Sequence, residues 1–285
     1  MVVLVTGASG QLGQAIKSIA NQYLEIDFKF YNSSELNIVD LEQCKSIFEK
    51  VQPDFCMNAA AYTAVDKAES EPEKARLINV TGAENLAKIC KEFHTVLLHI
   101  STDFVFDGTS SKPYIEEDIP NPTGVYGQTK LEGEKAIQAI LEKYFIIRTS
   151  WVYSEFGTNF MKTMLRLGNE RDSISVVNDQ IGTPTNAVDL AKVLMKIITS
   201  CHAEVISPAD YGIYNFSNEG KCSWYDFAKK IFEINKIEID LQAIPTSAYP
   251  TLAKRPGYSV LDKSKIKEVF GVEVENWEES LNNVL

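Results

Sequence analysis

The sequence has no apolar run approaching the ~20 residues needed to cross a bilayer, which excludes a transmembrane helix and a membrane partner. Met1 to Val5 lack a basic start and run straight into Thr6-Gly7. The N-terminus therefore reads as a buried strand and not a signal peptide, and a cytoplasmic location is expected. The five cysteines, Cys44, Cys56, Cys90, Cys201 and Cys222, are odd in number, scattered and without a C-x-x-C pair. That argues against a disulfide framework and for reduced, buried thiols. The three histidines, His94, His99 and His202, show no metal-ligand spacing, and His94 and His99 flank a strand, where structural roles are expected. Positive charge is also scarce: 28 Lys and Arg stand against 39 Asp and Glu, a net charge of −11. Without a basic stripe to replace counterions the chain is not a nucleic-acid binder, although a few local donors would suffice for a small anion. Repeats, low-complexity tracts and flexible linkers are all missing.

What is present is the ordinary mix of a soluble globular protein, 45% hydrophobic and 24% charged. At 285 residues the chain is long for one domain and short for two, so one domain carrying a smaller lobe is expected. Through the first half, short apolar runs alternate with helix-length amphipathic stretches. Val2–Val5, Phe28–Tyr31, Phe55–Asn58, Val96–Ile100 and Phe145–Arg148 read as strands. Gln11–Asn21, Leu41–Val51, Glu71–Glu92 and Thr129–Leu141 read as helices. Such alternation predicts a parallel sheet with helices on both faces, and near-continuous apolar strands suit a sheet buried on both sides. The pattern loosens after Trp151. Asn159–Leu167, Ala187–Ile198 and Trp224–Ile234 read as helices and Gly212–Phe216 as a strand rejoining the sheet, with the Pro- and Ser-rich remainder forming a small lobe.

Between the first strand and first helix, Thr6-Gly7-Ala8-Ser9-Gly10-Gln11-Leu12-Gly13 spells G-x-x-G-x-x-G. Gly7 permits a tight turn, Gly10 lets backbone N–H groups approach a pyrophosphate, and Gly13 seats the helix close to the sheet, with the helix N-terminus facing the anion. The fold class is α/β: a Rossmann-type doubly wound parallel sheet with a smaller, interleaved C-terminal substrate lobe. Residues 1–150, with about 186–200 and 212–217, are assigned to dinucleotide binding, and about 151–185 and 218–285 to the lobe. The second strand ends Tyr31-Asn32-Ser33-Ser34, with no carboxylate before Glu35 to repel a 2′-phosphate and no base to welcome one. Use of either NADPH or NADH is expected.

Tyr126-Gly-Gln-Thr-Lys130 places a phenol and an ammonium one helical turn apart on one face. The ammonium is expected to lower the tyrosine pKa, making Tyr126 a usable general acid or base. The spacing alone is cheap, since Tyr225-Asp-Phe-Ala-Lys229 matches it too; apolar Trp224, Phe227 and Ile231 around Tyr225 indicate a core or surface helix there. Tyr126 instead follows Ser101-Thr102-Asp103 at the carboxyl end of the fourth strand, where ligands of parallel sheets collect. A hydroxyl there can hold a substrate carbonyl while Tyr126 supplies the proton.

The glycine loop, Ser101-Thr102-Asp103 and Tyr126/Lys130, in this order, resemble the extended short-chain dehydrogenases that act on nucleotide sugars. Within them the chain is most similar to the dTDP-4-dehydrorhamnose reductase family, over nearly its whole length. The residues carrying that likeness are Asn58–Asp66 with Glu69, Asn79-Val80, Ser101–Gly108, Arg148–Tyr153, Gly157–Phe160, Asp179–Thr185 and Arg255–Asp262. The resemblance implies NAD(P)H-dependent reduction of a dTDP-linked 4-keto-6-deoxysugar for cell-surface polysaccharide. It implies that Gly7, Gly10, Gln11, Leu12, Gly13, Asn37, Ile38, Ala59, Ala60, Ala61, Tyr62 and Ser101 bind the cofactor. Asn79 would help to order the catalytic Lys130, and Lys130 would also hold the nicotinamide ribose. Thr102 and Tyr126 would bracket the C4 oxygen, while Val65, Asp103, Phe104, Trp151 and Arg255 would contact the sugar nucleotide.

Two positions depart from the family pattern: Asn37 stands where Asp is expected, and Tyr258 where many members have Asn. A nucleotide-sugar 4-epimerase and an idle regulatory subunit like the methionine adenosyltransferase beta chain share the fold. A dehydratase would carry a second carboxylate where Phe104 stands. Some members pair into homodimers through Mg2+ held by C-terminal carboxylates; Glu273, Glu275, Glu278 and Glu279 are available, but an acidic helix face is usually solvated and no metal site is expected.

Overall fold

A computed structural model describes residues 1–203 and 205–285. Five parallel strands, β1 (Val2–Thr6), β2 (Asp27–Phe30), β3 (Phe55–Asn58), β4 (Val96–Thr102) and β5 (Tyr144–Thr149), form a sheet whose far edge is Gly212–Asn215. Its order is Gly212–Asn215, β5, β4, β3, β1, β2, so the chain starts near the middle and winds outward both ways. In register, Val5 faces Phe30 on one side and Met57 on the other, and Thr102 of β4 lies beside Thr149 of β5. All pairings in this sheet are parallel. The short apolar strands pack on both faces: Val3, Val5, Met57 and Leu98 meet α1 (Gln11–Ile19) and the helix Ala187–His202 on one side. Leu4, Cys56, Leu97 and Ile146 meet α2 (Leu41–Val51) and Gly82–Glu92 on the other.

The stretch expected as one helix over Glu71–Glu92 is divided. Pro72–Arg76 is α-helical, Leu77–Thr81 is a π-helical turn, and Gly82–Glu92 resumes the α-helix. Such a turn widens the backbone locally and is typically found at functional sites. The helix expected from Thr129 begins earlier, at Val125, so Tyr126 lies in its first turn. Pro122 two residues ahead of the Gly124 N-cap is consistent with that start.

The smaller lobe is built on Ser173–Val177 pairing in parallel with Asp240–Ile244. Phe160–Glu170, Trp224–Asn235 and Trp277–Asn282 pack there around Met161, Met164, Phe227, Ile231 and Trp277. The helix Ser264–Phe270 falls in the sequence span assigned to this lobe, yet its Ile266 and Phe270 pack into the sheet core. Among the described residues, no helix is long and apolar enough to cross a membrane. All five cysteines are free, four of them buried.

Candidate active site

A cleft of about 1400 Å³ runs between the carboxyl ends of the strands and the smaller lobe. Its floor begins at the glycine loop. Gly7 has φ +66, and a Cβ there would sit 2.6 Å from the Ala59 carbonyl carbon. A Cβ at Gly13 would sit 2.4 Å from the Gly7 carbonyl oxygen, so α1 starts pressed against the loop. α1 has no side-chain cap and no acidic residue in its first turn, and Gly10, Gln11 and Leu12 line the cleft. Uncapped N–H groups carrying the helix's partial positive charge form a cradle for an anion, and the residues present fit a dinucleotide pyrophosphate. Gln11 also ties the lobes together: its Oε1 accepts from Asn159 Nδ2 at 2.9 Å and Ser154 Oγ at 3.0 Å.

At the end of β4, Thr102 caps the turn Asp103–Val105, accepting from the Phe104 N–H at 3.2 Å and donating to Asp103 Oδ1 at 3.0 Å. Phe104 meets the Tyr126 ring edge-on with centroids 5.5 Å apart. Desolvation pushes Tyr126 up to about 12, against the pull of the Thr102 hydroxyl and with the Asp103 charge adding to it. This corrects the expectation that Lys130 would lower the tyrosine: at neutral pH Tyr126 is a phenol, the form that gives a proton away. Burial likewise raises Asp103 to about 6 and lowers Lys130 to about 8, where the Glu134 charge opposes the fall.

The Lys130 Nζ donates to the Ile100 carbonyl at 2.6 Å and lies 3.1 Å from His99 Nε2. Asn79, expected to order this lysine, does not touch it directly. Its Oδ1 accepts from the Tyr62 N–H at 2.8 Å and its Nδ2 donates to Thr129 Oγ1 at 3.1 Å, so it fixes the π-helical turn to the site helix Val125–Ile140. One turn beyond Lys130, Glu134 forms a bidentate pair with Arg148 of β5 at 3.1 and 2.8 Å, and Ser101 donates to the same carboxylate. Glu134 and Arg148 are 1% and 2% exposed, so the helix is locked to the sheet by a fully desolvated ion pair.

The smaller lobe supplies the opposite wall. Trp151 is held at φ +48 and stacks on Trp224 with centroids 3.6 Å apart. Gly182 lies under the indole, where a Cβ would come within 2.6 Å. A non-glycine residue in that conformation costs on the order of 1–3 kcal/mol and points to a functional constraint. Arg255 reaches across from the lobe to Asp66, in a bidentate pair at 2.7 and 2.6 Å.

Of the residues named from sequence, Gly10, Gln11, Leu12, Ala59, Ala60, Ala61, Val65, Ser101, Thr102, Asp103, Phe104, Tyr126, Lys130, Trp151 and Arg255 line this one cleft. Gly7 and Gly13 shape it from behind. Tyr62, Asn79, Asn37 and Ile38 do not line it. The Tyr62 hydroxyl donates to Glu71 at 3.0 Å, Asn37 is exposed and accepts from the Val39 N–H at 3.2 Å, and Ile38 is buried in the core. Sequence reasoning missed Trp224, Asp66 and His99 as neighbours of the site, because each is brought there by tertiary contacts. It also missed that Glu35 folds back to accept from the Asn32 N–H at 2.9 Å, bringing a carboxylate to the end of β2. Among the described residues no His, Cys, Asp and Glu cluster has the arrangement of a metal site. Glu278 is paired with Lys230 at 2.8 Å, and Glu275 accepts from Asn283.

Comparison with known proteins meets this geometry. The family described as RmlD substrate binding domain matches residues 1–285. The dTDP-4-dehydrorhamnose reductase of Aggregatibacter actinomycetemcomitans is 42% identical, the alignment covering 99% of this chain and 97% of that protein. The chain belongs to the dTDP-4-dehydrorhamnose reductase family. Two solved members are superimposable. The Clostridium acetobutylicum enzyme has TM-score 0.94 at 39% identity, over 100% of this chain and 98% of that one. The Bacillus anthracis enzyme, solved in complex with NADP, has TM-score 0.94 at 38% identity, over 99% and 98%. Members of the dTDP-4-dehydrorhamnose reductase family thus share both the sheet and the lobe that closes the cleft.

Proposed function

We propose that this protein reduces the 4-keto group of dTDP-4-dehydro-L-rhamnose to dTDP-L-rhamnose in the cytoplasm, with NADPH or NADH. The observation that carries the reading is the pairing of a phenol at Tyr126 with the Thr102 hydroxyl at the carboxyl end of β4, in the same cleft as an uncapped helix N-terminus. When bound, the nicotinamide supplies a hydride to C4. The carbonyl electron pair moves to the oxygen, which takes the Tyr126 phenolic proton while Thr102 holds that oxygen in place. General acid catalysis of this kind contributes ~10²–10⁴-fold. Lys130 anchors the nicotinamide ribose, and Ala59, Ala60 and Ala61 line the channel toward the adenosine. The Trp151 indole, backed by Trp224, gives the deoxysugar an apolar wall and excludes water. Val65, Asp103, Phe104 and Arg255 complete the sugar-nucleotide contacts.

A reductase must release oxidised cofactor each turnover, whereas an epimerase gains by gripping it. Purified protein should therefore arrive largely free of nucleotide, and should consume one added NADPH or NADH per dTDP-4-dehydro-L-rhamnose reduced. One tightly held NAD per chain, with interconversion of sugar epimers and no added cofactor, would overturn the reading.

A further inference from the structure

The short helix Val65–Ser70 joins two parts of the site through two carboxylates three positions apart, a spacing that puts them on one helix face. Asp66 is held from the lobe: its Oδ1 accepts from the Ala253 N–H at 3.1 Å and from Arg255 Nη1 at 2.7 Å, and its Oδ2 from Arg255 Nη2 at 2.6 Å. Glu69 reaches the site helix Val125–Ile140 instead. Its Oε1 accepts from the Val125 N–H at 2.8 Å, one residue ahead of Tyr126. Ala68 beside it is fully buried and, with Tyr62 and Ala75, packs against Val125 and Tyr126.

The site helix has no cap of its own. Its N-cap residue is Gly124, with no side chain to accept a hydrogen bond, and no acidic residue stands in its first turn. The first N–H groups of a helix lack internal partners and carry its partial positive charge, so a carboxylate belongs there. Glu69 supplies it from another element. Gly124 has φ −146 and ψ 166, extended backbone that any residue adopts, so its conformation does not demand glycine. The space does: a Cβ there would sit 2.7 Å from Glu69 Oε1. An ordinary capping residue such as serine at this position would push the carboxylate out.

We propose that Glu69 is a positioning residue of the site, capping the helix of Tyr126 from a neighbouring helix anchored on the lobe and so holding the phenol in register with Thr102. The inference rests on the reducing role assigned to Tyr126 above. Deeper in the same turn the backbone is fixed by other means, since Thr129 Oγ1 donates to the Tyr126 carbonyl at 3.0 Å and accepts from Asn79. Glu69 fixes where the turn starts. The Tyr126 hydroxyl stands at the tip of a long, rigid side chain, so a small tilt of that start moves it further than it moves the backbone. Proton transfer to a held carbonyl oxygen is sensitive to displacements of this kind.

Glu69→Ala removes the cap and should lower kcat about ten- to hundredfold, with KM for the cofactor little changed. Glu69→Gln keeps the accepted hydrogen bond and loses only charge, so kcat should stay within about threefold of wild type. Gly124→Ala displaces the carboxylate without deleting it; it should behave as Glu69→Ala does, and it decides alone should Glu69→Ala fail to fold. A role in stability only would show in urea unfolding and leave kcat of the folded protein intact. The sharpest readout is a cycle with Tyr126→Phe: once the hydroxyl is gone, Glu69→Ala should lower the residual kcat by less than about twofold. Ring position is read without turnover by fluorine NMR of protein labelled with fluorotyrosine, the Tyr126 line being assigned with Tyr126→Phe. That line should move in Glu69→Ala and stay in place in Glu69→Gln. An unmoved line, an unchanged kcat in both Glu69→Ala and Gly124→Ala, or an equal loss with and without the Tyr126 hydroxyl overturns the proposal. A moved line in a protein that does not reduce dTDP-4-dehydro-L-rhamnose would uphold the cap and sink the assigned function instead.

Discussion

The chain contains the Tyr-x-x-x-Lys spacing twice, and the two copies have become different things. Tyr225 and Lys229 lie on Trp224–Asn235 in the smaller lobe, the phenol ring packed against that lobe's core. Lys229 is 60% exposed and 3.9 Å from Glu233, an ordinary solvated pair on a helix surface. Tyr126 and Lys130 lie where the parallel strands end, beside Thr102, with the lysine buried against His99 and the Ile100 carbonyl. Burial lowers Lys130 to about 8, and desolvation raises Tyr126 to about 12. Spacing sets which side chains share a face; the location of that face in the sheet sets whether they do chemistry.

The strongest way to break this comparison is to remove the two hydroxyls in turn. Tyr126→Phe should fold normally and lose ~10²–10⁴ in kcat, roughly 3–5 kcal/mol of barrier, while Tyr225→Phe keeps most activity. Cofactor-oxidation rates measured side by side decide it, and equal losses would remove Tyr126 from its role. The ion pairs beside the two lysines offer a second contrast. Arg148→Met strands Glu134 in the core and should cost about 3–5 kcal/mol in urea unfolding, whereas Glu233→Gln beside Lys229 should cost under about 1 kcal/mol. Comparable losses from both would mean that the buried pair does not lock the site helix.

A smaller effect is expected at the aromatic wall. Trp224→Ala removes the ring stacked on Trp151, an aromatic pair worth about 0.5–1.5 kcal/mol beyond its buried area. KM for the sugar nucleotide should rise roughly three- to tenfold with kcat little changed, and a fall confined to kcat would contradict the wall. Smallest is cofactor choice. NADPH and NADH should give kcat/KM values within about tenfold, roughly 1.4 kcal/mol. Glu35→Gln should tilt the ratio toward NADPH by neutralising the carboxylate at the end of β2. A ratio unmoved by that change would mean another residue reads the ribose 2′ position.

The sheet was legible in the sequence because a parallel sheet buried on both faces leaves short apolar runs between amphipathic helices. The glycine loop was legible because Gly7 must adopt a positive φ and Gly13 must sit where no Cβ fits. Helix boundaries were less so. Pro72 opens the helix, and the π-helical turn interrupts a stretch whose periodicity reads as one helix, since a one-residue bulge barely disturbs the pattern. The pairing of Ser173–Val177 with Asp240–Ile244 joins segments with no local signature of each other. The same holds for Trp151 with Trp224 and Asp66 with Arg255, contacts that exist only once the lobe has closed on the sheet. His99 read as a structural strand residue, and its polar role appears only when Asn58 on β3 and Lys130 on the site helix are seen at its two nitrogens.

The most direct test of the account is to follow the hydride. Reduction with a cofactor deuterated at the transferable position of the nicotinamide should place one deuterium at C4 of the dTDP-L-rhamnose formed, one for each cofactor oxidised. Product analysis by NMR and mass spectrometry would show it. Product carrying no deuterium at C4, or sugar converted without oxidation of the added cofactor, would contradict a reductase built on Thr102, Tyr126 and Lys130.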